Sequence, residues 1–441
     1  MIKIIKLIIP ILCISLLFLV AGCEKKIVQS NETLTQQTVE LEQQSEQDQE
    51  PEPDQSGMSI RTPSNETNLS YVIVDAGQTK CFDNHHEITA PESGEAFYGQ
   101  DAQYNGIQPA YKDNGDGTVT DLNTGLMWQQ DLGEKLTFEA AIFGAETCNL
   151  AGYDDWRLPT IKELYSLILF SGTEVNPSGI NPAIPFIDTD YFFFEYGDID
   201  AGERIIDAQY WSSTEYVGTT MNNAATVFGV NFADGRIKGY PRDIGPGGVP
   251  MTEFVRYVRG NPDYGVNEFT NNGDGTIIDT ATGLMWSESD SSKGMNWQEA
   301  LEWIQQKNTE NYLGYSDWRL PNAKELQSIV DYSRSPQTTG SAAVDPIFGV
   351  TSIIDERGET NYPFYWTCTT HMSEMSGGNA AIYIAFGEAL GYMKGSWIDV
   401  HGAGAQRSDP KSGDPGEYPT GRGPQGDAIR IYNFVRCVRD A

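Results

Sequence analysis

The chain has 441 residues, 39% of them apolar and 11% aromatic, with 45 glycines and a formal charge of −33. That length allows two or three domains, each with a core of its own. The composition points to compact, turn-rich globular domains and argues against long helices or a membrane bundle. So acidic a surface excludes nucleic acid as a partner unless a local basic patch exists, and it suits solubility outside the cell.

Lys3 and Lys6 precede an apolar run from Leu7 to Val20, and Val20-Ala-Gly-Cys23 follows. This predicts a signal peptide over 1–22 that ends in a lipobox. Cys23 is then the lipidation site, and the lipid bilayer is the first expected partner. The residue after it is Glu24, not an inner-membrane-retaining Asp, which places the anchor at the outer membrane or cell surface. Residues 23–70 are rich in Gln, Glu, Ser, Thr and Pro and nearly free of aromatics, so an acidic disordered tether is expected. Asn31, Asn65 and Asn68 sit in sequons, but a bacterial export signal argues against glycosylation there.

The remainder repeats itself. Asn114-Gly-Asp-Gly-Thr through Thr124-Gly-Leu-Met-Trp128 recurs as Asn272-Gly-Asp-Gly-Thr through Thr282-Gly-Leu-Met-Trp286. Gly152-Tyr-Asp-Asp-Trp-Arg-Leu-Pro159 recurs as Gly314-Tyr-Ser-Asp-Trp-Arg-Leu-Pro321. Tyr210-Trp-Ser-Ser-Thr214 matches Tyr365-Trp-Thr-Cys-Thr369, and Phe254-Val-Arg-Tyr-Val-Arg259 matches Phe434-Val-Arg-Cys-Val-Arg439. Four blocks in one order imply duplication, with domains over 71–262 and 263–441.

Within each copy the turn sequences predict an opening β-meander. A helix is expected over about 137–150, with Phe138, Ala141, Ile142 and Ala145 facing inward. Its counterpart spans about 297–308, with Trp297, Ala300, Leu301 and Ile304 inward and an Asn296/Glu299 capping box. A second helix follows each Trp-Arg-Leu-Pro block, capped by Thr160 with Glu163 and by Asn322 with Glu325, and Leu164, Leu167 and Ile168 supply its buried face. Each copy closes on a Val-Arg strand. The expected class is α+β.

These Asn-Gly-Asp-Gly-Thr, Thr-Gly-Leu-Met-Trp, Asp-Trp-Arg-Leu-Pro and Val-Arg-Cys-Val-Arg runs resemble the Lcl C-terminal domain family, named after a collagen-like bacterial adhesin. Gly395-Ser-Trp397 before Phe434–Arg439 is also similar to the end of formylglycine-generating-enzyme-like domains. The resemblance implies tandem C-type-lectin-like domains and a surface binding or adhesion role. The adhesin hints at sulfated glycans, against which the acidic composition counts.

Several motifs admit two roles. In the Asn-Gly-Asp-Gly block the acids fall out of step with an EF-hand loop, so a hairpin turn is expected and Ca²⁺ is the lesser alternative. Trp128, Trp286, Trp156 with Arg157 and Trp318 with Arg319 are expected to be structural anchors, and Glu163 and Glu325 to be helix caps. Of the six cysteines, Cys13 leaves with the leader and Cys23 is lipidated. Export permits disulfides, and the expected pairs are Cys81–Cys148 and Cys368–Cys437, with free thiols as the rival. Tyr257 and Ser213 stand in the first copy where Cys437 and Cys368 stand in the second, and this joint absence favours the second bridge. His85, His86, His371 and His401 complete no zinc spacing. No catalytic residue, metal site or cofactor is expected.

The Gly-rich stretch 395–426 is the largest difference between the copies. It carries Trp397, His401, Arg407 and Arg422, the candidate ligand-binding loop. The function expected is a membrane-anchored binding or adhesion module for a glycan or protein ligand. The alternatives are a formylglycine-generating-type enzyme and a structural envelope protein without a ligand.

Overall fold

The computed structural model describes residues 69–441 apart from Asn222, with the backbone of Ser59–Ile60. The leader, Cys23, the three sequons and nearly all of the expected tether lie outside the described residues. Ser59–Ile60, within that stretch, pairs in parallel with Tyr104–Asn105. Among the described residues no helix is long and apolar enough to cross a membrane.

The first copy opens on the expected meander: β1 (Tyr111–Asp113), β2 (Thr118–Asp121) and β3 (Leu126–Gln129). Its first turn holds Gly115 and Gly117 at φ of 74° and 86°, a region costly for any residue with a Cβ. Side chains close the turn as well. Asp116 Oδ1 accepts from both the backbone N–H and the hydroxyl of Thr118, at 3.1 and 2.6 Å. Asp274 and Thr276 repeat this in the second copy. Period-two alternation then sends Val119 and Trp128 inward as opposite neighbours, both fully buried.

Two helices follow, α1 (Phe138–Thr147) and α2 (Ile161–Ser166), then β4 (Gln209–Glu215), β5 (Thr226–Asn231), β6 (Arg236–Pro241) and β7 (Val258–Gly260). β7 returns to pair antiparallel with β3, setting Val258 against Trp128. The closing block thus completes the sheet that the opening block began. The second copy repeats this order with β8 (Phe269–Asn271), β9 (Thr276–Asp279), β10 (Leu284–Ser287), α3 (Trp297–Thr309) and α4 (Ala323–Ser328). It continues through β11 (Phe364–Ser373), β12 (Gly377–Ala385), β13 (Leu390–Met393), β14 (Ser396–Asp399), β15 (Gln406–Pro410) and β16 (Val438–Asp440).

The two copies share one sheet. Its six strands run β11-β12-β15-β6-β5-β4, a symmetric order whose centre is the antiparallel contact of β6 with β15, Ile237 opposite Gln406. Beneath it a single core cluster joins Val119, Trp128 and Leu164 of one copy to Ile277, Trp286 and Leu326 of the other. The leading segment crosses over too: Gln78 donates to Thr370 O at 2.8 Å, and the Thr369 hydroxyl donates to Asp101. The described residues therefore form a mixed α+β structure of antiparallel sheets and few helices.

The expected capping boxes of Thr160/Glu163, Asn296/Glu299 and Asn322/Glu325 are all present and reciprocal, and Thr137 caps α1 as well. α3 buries Trp297, Ala300, Leu301 and Ile304 as expected. One inward position on α1 fails, because Ile142 is 40% exposed. The Tyr257 hydroxyl donates to Ala141 O at 3.0 Å and lies against Gly144, where a Cβ would clash with it. This contact turns α1 towards its 141/144 flank and rolls Ile142 out.

The expected disulfides are absent: Cys81, Cys148, Cys368 and Cys437 are all free thiols. Cys81 sits on a hairpin whose Phe82 packs on Gly378 of the second copy, while Cys148 ends α1 in a satellite cluster of the first. Cys368 and Cys437 share a cluster but face different neighbours. The first lies among Asp101, Glu325 and Arg319, the second beside Ser287 and Lys307.

Candidate functional site

The repeated Asp-Trp-Arg blocks fix the ends of each copy. Trp156 and Trp318 bury their rings and donate their indole N–H to Leu150 O and Tyr312 O, at 3.1 and 2.8 Å. Arg157 pairs with Glu163, and Arg319 with Glu325 at 2.6 Å. The preceding acids, Asp155 and Asp317, each clamp the closing arginine of their copy, Arg259 at 2.6 Å and Arg439 at 2.7 Å. Trp128 and Trp286 are buried in the shared core. All of these side chains pack within the protein, although the Trp128 and Trp286 indole N–H groups meet no hydrogen-bond partner.

The sheet's other face is different. On β6 the alternation Arg236-Ile237-Lys238 sends Ile237 to the core and both cations to the opposite side. Since Ile237 faces Gln406 across the junction, Arg407 of β15 emerges on the same side as Arg236 and Lys238. There a cleft of about 200 Å³ spans the two copies. Arg204, Arg236, Lys238, Arg407 and Arg422 line it, against Glu174, Asp234 and Asp427. Arg204 is paired with Asp207 at 2.6 Å beside the lining, so Arg422 is the cation left over, a local surplus of positive charge in a chain of charge −33.

The three acids are already committed. Arg236 grips Glu174, with one arm at 3.1 Å, and extends to Ser408 Oγ at 3.3 Å. Burial pushes the Glu174 carboxyl up, but the Arg236 guanidinium outweighs it and holds the acid down at about 2. Asp234 takes Lys238, and its carbonyl meets His371 Nε2 at 2.9 Å. Asp427 pairs with Arg407 and accepts from His401 Nε2 at 3.0 Å. There too burial is outweighed by the neighbouring cation, and the carboxyl lies far below the usual range. Burial and the adjacent arginines lower both His371 and His401 to about 4, so each imidazole is neutral at pH 7.

Arg407 spends one nitrogen on Asp427, whereas its Nε and Nη1 are buried with no hydrogen-bond partner. A guanidinium offers five N–H donors, and buried donors left unmet are costly. Arg422 stands exposed at the lip, where its backbone exchanges two hydrogen bonds with Asp427, at 2.9 and 2.7 Å. The expected loop residues thus divide. His401, Arg407 and Arg422 gather round Asp427, while Trp397 lies on β14 at a second depression, edge-on to Tyr392 at 5.3 Å. Sequence reasoning missed Arg236, Lys238, Glu174, Asp234, His371 and Asp427. The period-two Arg-Ile-Lys run is a signal for the first two; the pairing of β6 with β15 has none.

The cysteines are not poised for chemistry. Burial pushes the Cys81 thiol up to about 11 and the Cys437 thiol up to about 12, and raises Cys368 well above its ordinary value. Among the described residues no three His, Cys, Asp or Glu side chains converge as a metal site would require.

The Lcl C-terminal domain pattern matches residues 117–259 and 275–400, together more than half of the chain. Arg407, Arg422 and Asp427 lie beyond the second matched segment. No match was found among curated proteins or among solved structures. The chain belongs to the Lcl C-terminal domain family and carries that domain twice.

Proposed function

We propose that this chain is an exported lipoprotein, anchored through acylated Cys23, that acts as a binding or adhesion module at the outer membrane or cell surface. Its junction cleft takes an anionic group of a glycan or protein ligand. Both copies, over 71–262 and 263–441, are read as C-type-lectin-like domains. The observation that carries the reading is the cationic surplus at the junction, with Arg407 donors that no protein group meets. Such a site reverses the repulsion of an acidic surface locally and draws an anion to one place. Buried thiols with raised pKa favour binding over formylglycine-type chemistry, which needs reactive thiolate.

Titration of the mature protein against panels of acidic and neutral glycans tests this. Acidic members should bind, weaken as NaCl rises to 0.5 M, and lose about tenfold in affinity in Arg422→Glu. No acidic ligand, or binding indifferent to both salt and this substitution, would sink the proposal. Metabolic labelling with a fatty acid should mark the wild-type chain and leave Cys23→Ala unmarked.

A further inference from the structure

The second depression lies beyond the loop that walls the cleft, and Ile429 lines both. It is open, with a volume of about 540 Å³, within the range of roughly 300–1,000 Å³ usual for small-molecule sites. Its apolar walls are Trp397, Tyr418 and Tyr432, the last of them 48% exposed. Its charged element is one ion pair: Arg430 grips Glu356 through two bonds of 2.9 and 3.0 Å. The guanidinium carbon also lies over Phe364, 3.8 Å from the ring centroid. Held on two sides, this fork is rigid, and its charges cancel.

The backbone that presents it is strained. Ile431 sits at φ 62°, a region that a β-branched residue avoids. Around it the Tyr432 N–H donates to Arg430 O at 2.6 Å, a tight three-residue turn. Buried Asp409 enforces the turn by accepting from the N–H groups of Arg430 and Ile431 and from the Asn433 amide, at 3.1, 3.0 and 3.0 Å. The turn leaves Ile431 in the core and sets Arg430 and Tyr432, on either side of it, at the depression. Met251, the equivalent residue of the first copy, is not among the positive-φ residues. The strain is peculiar to the second copy's turn, which holds Arg430 and Tyr432 in place.

We infer that this depression binds the ring of a neutral saccharide, independently of the anionic site in the cleft. A pyranose has an apolar C–H face and an equatorial belt of hydroxyls. The first stacks on an aromatic wall, and the second exchanges hydrogen bonds with a fixed acceptor–donor fork. A self-neutralised fork favours an uncharged partner, whereas a carboxylate or sulfate would be opposed by Glu356 and drawn to the cleft.

The test uses the mature protein and neutral hexasaccharides of glucose, mannose, galactose and N-acetylglucosamine. Saturation-transfer NMR and calorimetry should detect at least one of them, with affinity unchanged by 0.5 M NaCl. That salt response separates this site from the cleft, so either can fail alone. Trp397→Ala should lower the affinity at least tenfold, and so should Tyr432→Ser, which alters an exposed side chain and spares the fold. No transfer to any hexasaccharide, capture of a proline-rich peptide in their place, or wild-type affinity in both folded variants would overturn the inference.

Discussion

A buried arginine is costly where its donors go unmet, and in the duplicated arginines the terminal nitrogens are met in both copies, although Arg256 Nε has no partner. Arg256 donates to the carbonyls of Gln129, Gln130 and Phe193, and Arg436 to those of Ser287, Glu288 and Gly349, all at 2.6–2.7 Å. Arg157 and Arg319 take a carboxylate instead, but in unequal surroundings. The Arg157 side chain is 34% exposed, whereas that of Arg319 is 11% exposed and also reaches Asp440 at 3.1 Å. Removing the acid leaves Arg157 to solvent and backbone carbonyls and Arg319 to the half-exposed Asp440 alone, and the cost grows with how little water can replace the lost partner. Glu325→Ala should therefore cost about 3–5 kcal/mol of stability. Glu163→Ala, which leaves a cation within reach of solvent, should cost about 2 kcal/mol. Urea midpoints of the two variants compare them directly; equal losses would mean that helix capping, common to both, dominates.

The short helices α2 and α4 do at element scale what β6 and β15 do for the sheet. Lys162 of α2 donates to Ser328 O at the end of α4, at 2.6 Å, and Lys324 of α4 donates to Ser166 O at the end of α2, at 2.9 Å. Each ammonium meets the carbonyl end of the other copy's helix, where a positive charge is favoured. Burial nevertheless lowers both lysines to about 8. The folded value is below the unfolded 10.5, so below pH 8 both states are protonated and the full burial cost stands. Between pH 8 and 10.5 the folded state releases its proton while the unfolded state keeps it, and stability rises. The rise is roughly 3 kcal/mol per lysine at most. Asp101, pushed up to about 8 by burial, opposes this with a cost complete by about pH 8. The difference between wild type and Lys162→Met/Lys324→Met carries the test: urea midpoints should rise from pH 7.5 to 9.5 only in the wild type.

At the scale of the whole molecule, what could be read in the sequence was local. Turn glycines, capping boxes and the inward face of α3 depend on residues a few positions apart, so pattern and structure agree. Ile142 and the cysteines depend on contacts made across the fold, by Tyr257 with Gly144 and by Phe82 with Gly378, and periodicity carries no trace of these. The candidate loop was visible through its composition, but its place at the junction required Arg407 to share a cleft with Arg236 and Lys238. Only the pairing of β6 with β15 supplies that. The same pairing governs stability. Cutting the chain after residue 262 would bare β15 and β6, split the core that holds both Trp128 and Trp286, and separate Gln78 and Asp101 from Thr370 and Thr369. A new sheet edge and a bisected apolar interior are what a small domain cannot tolerate. Residues 71–441 should therefore unfold in one transition, coincident by far-UV circular dichroism and by fluorescence, although the sequence repeats. Residues 263–441 expressed alone should show no cooperative melt. Restoration of that melt on mixing with residues 71–262 would locate the missing stability at the junction, and two separate transitions in the intact chain would refute the shared core.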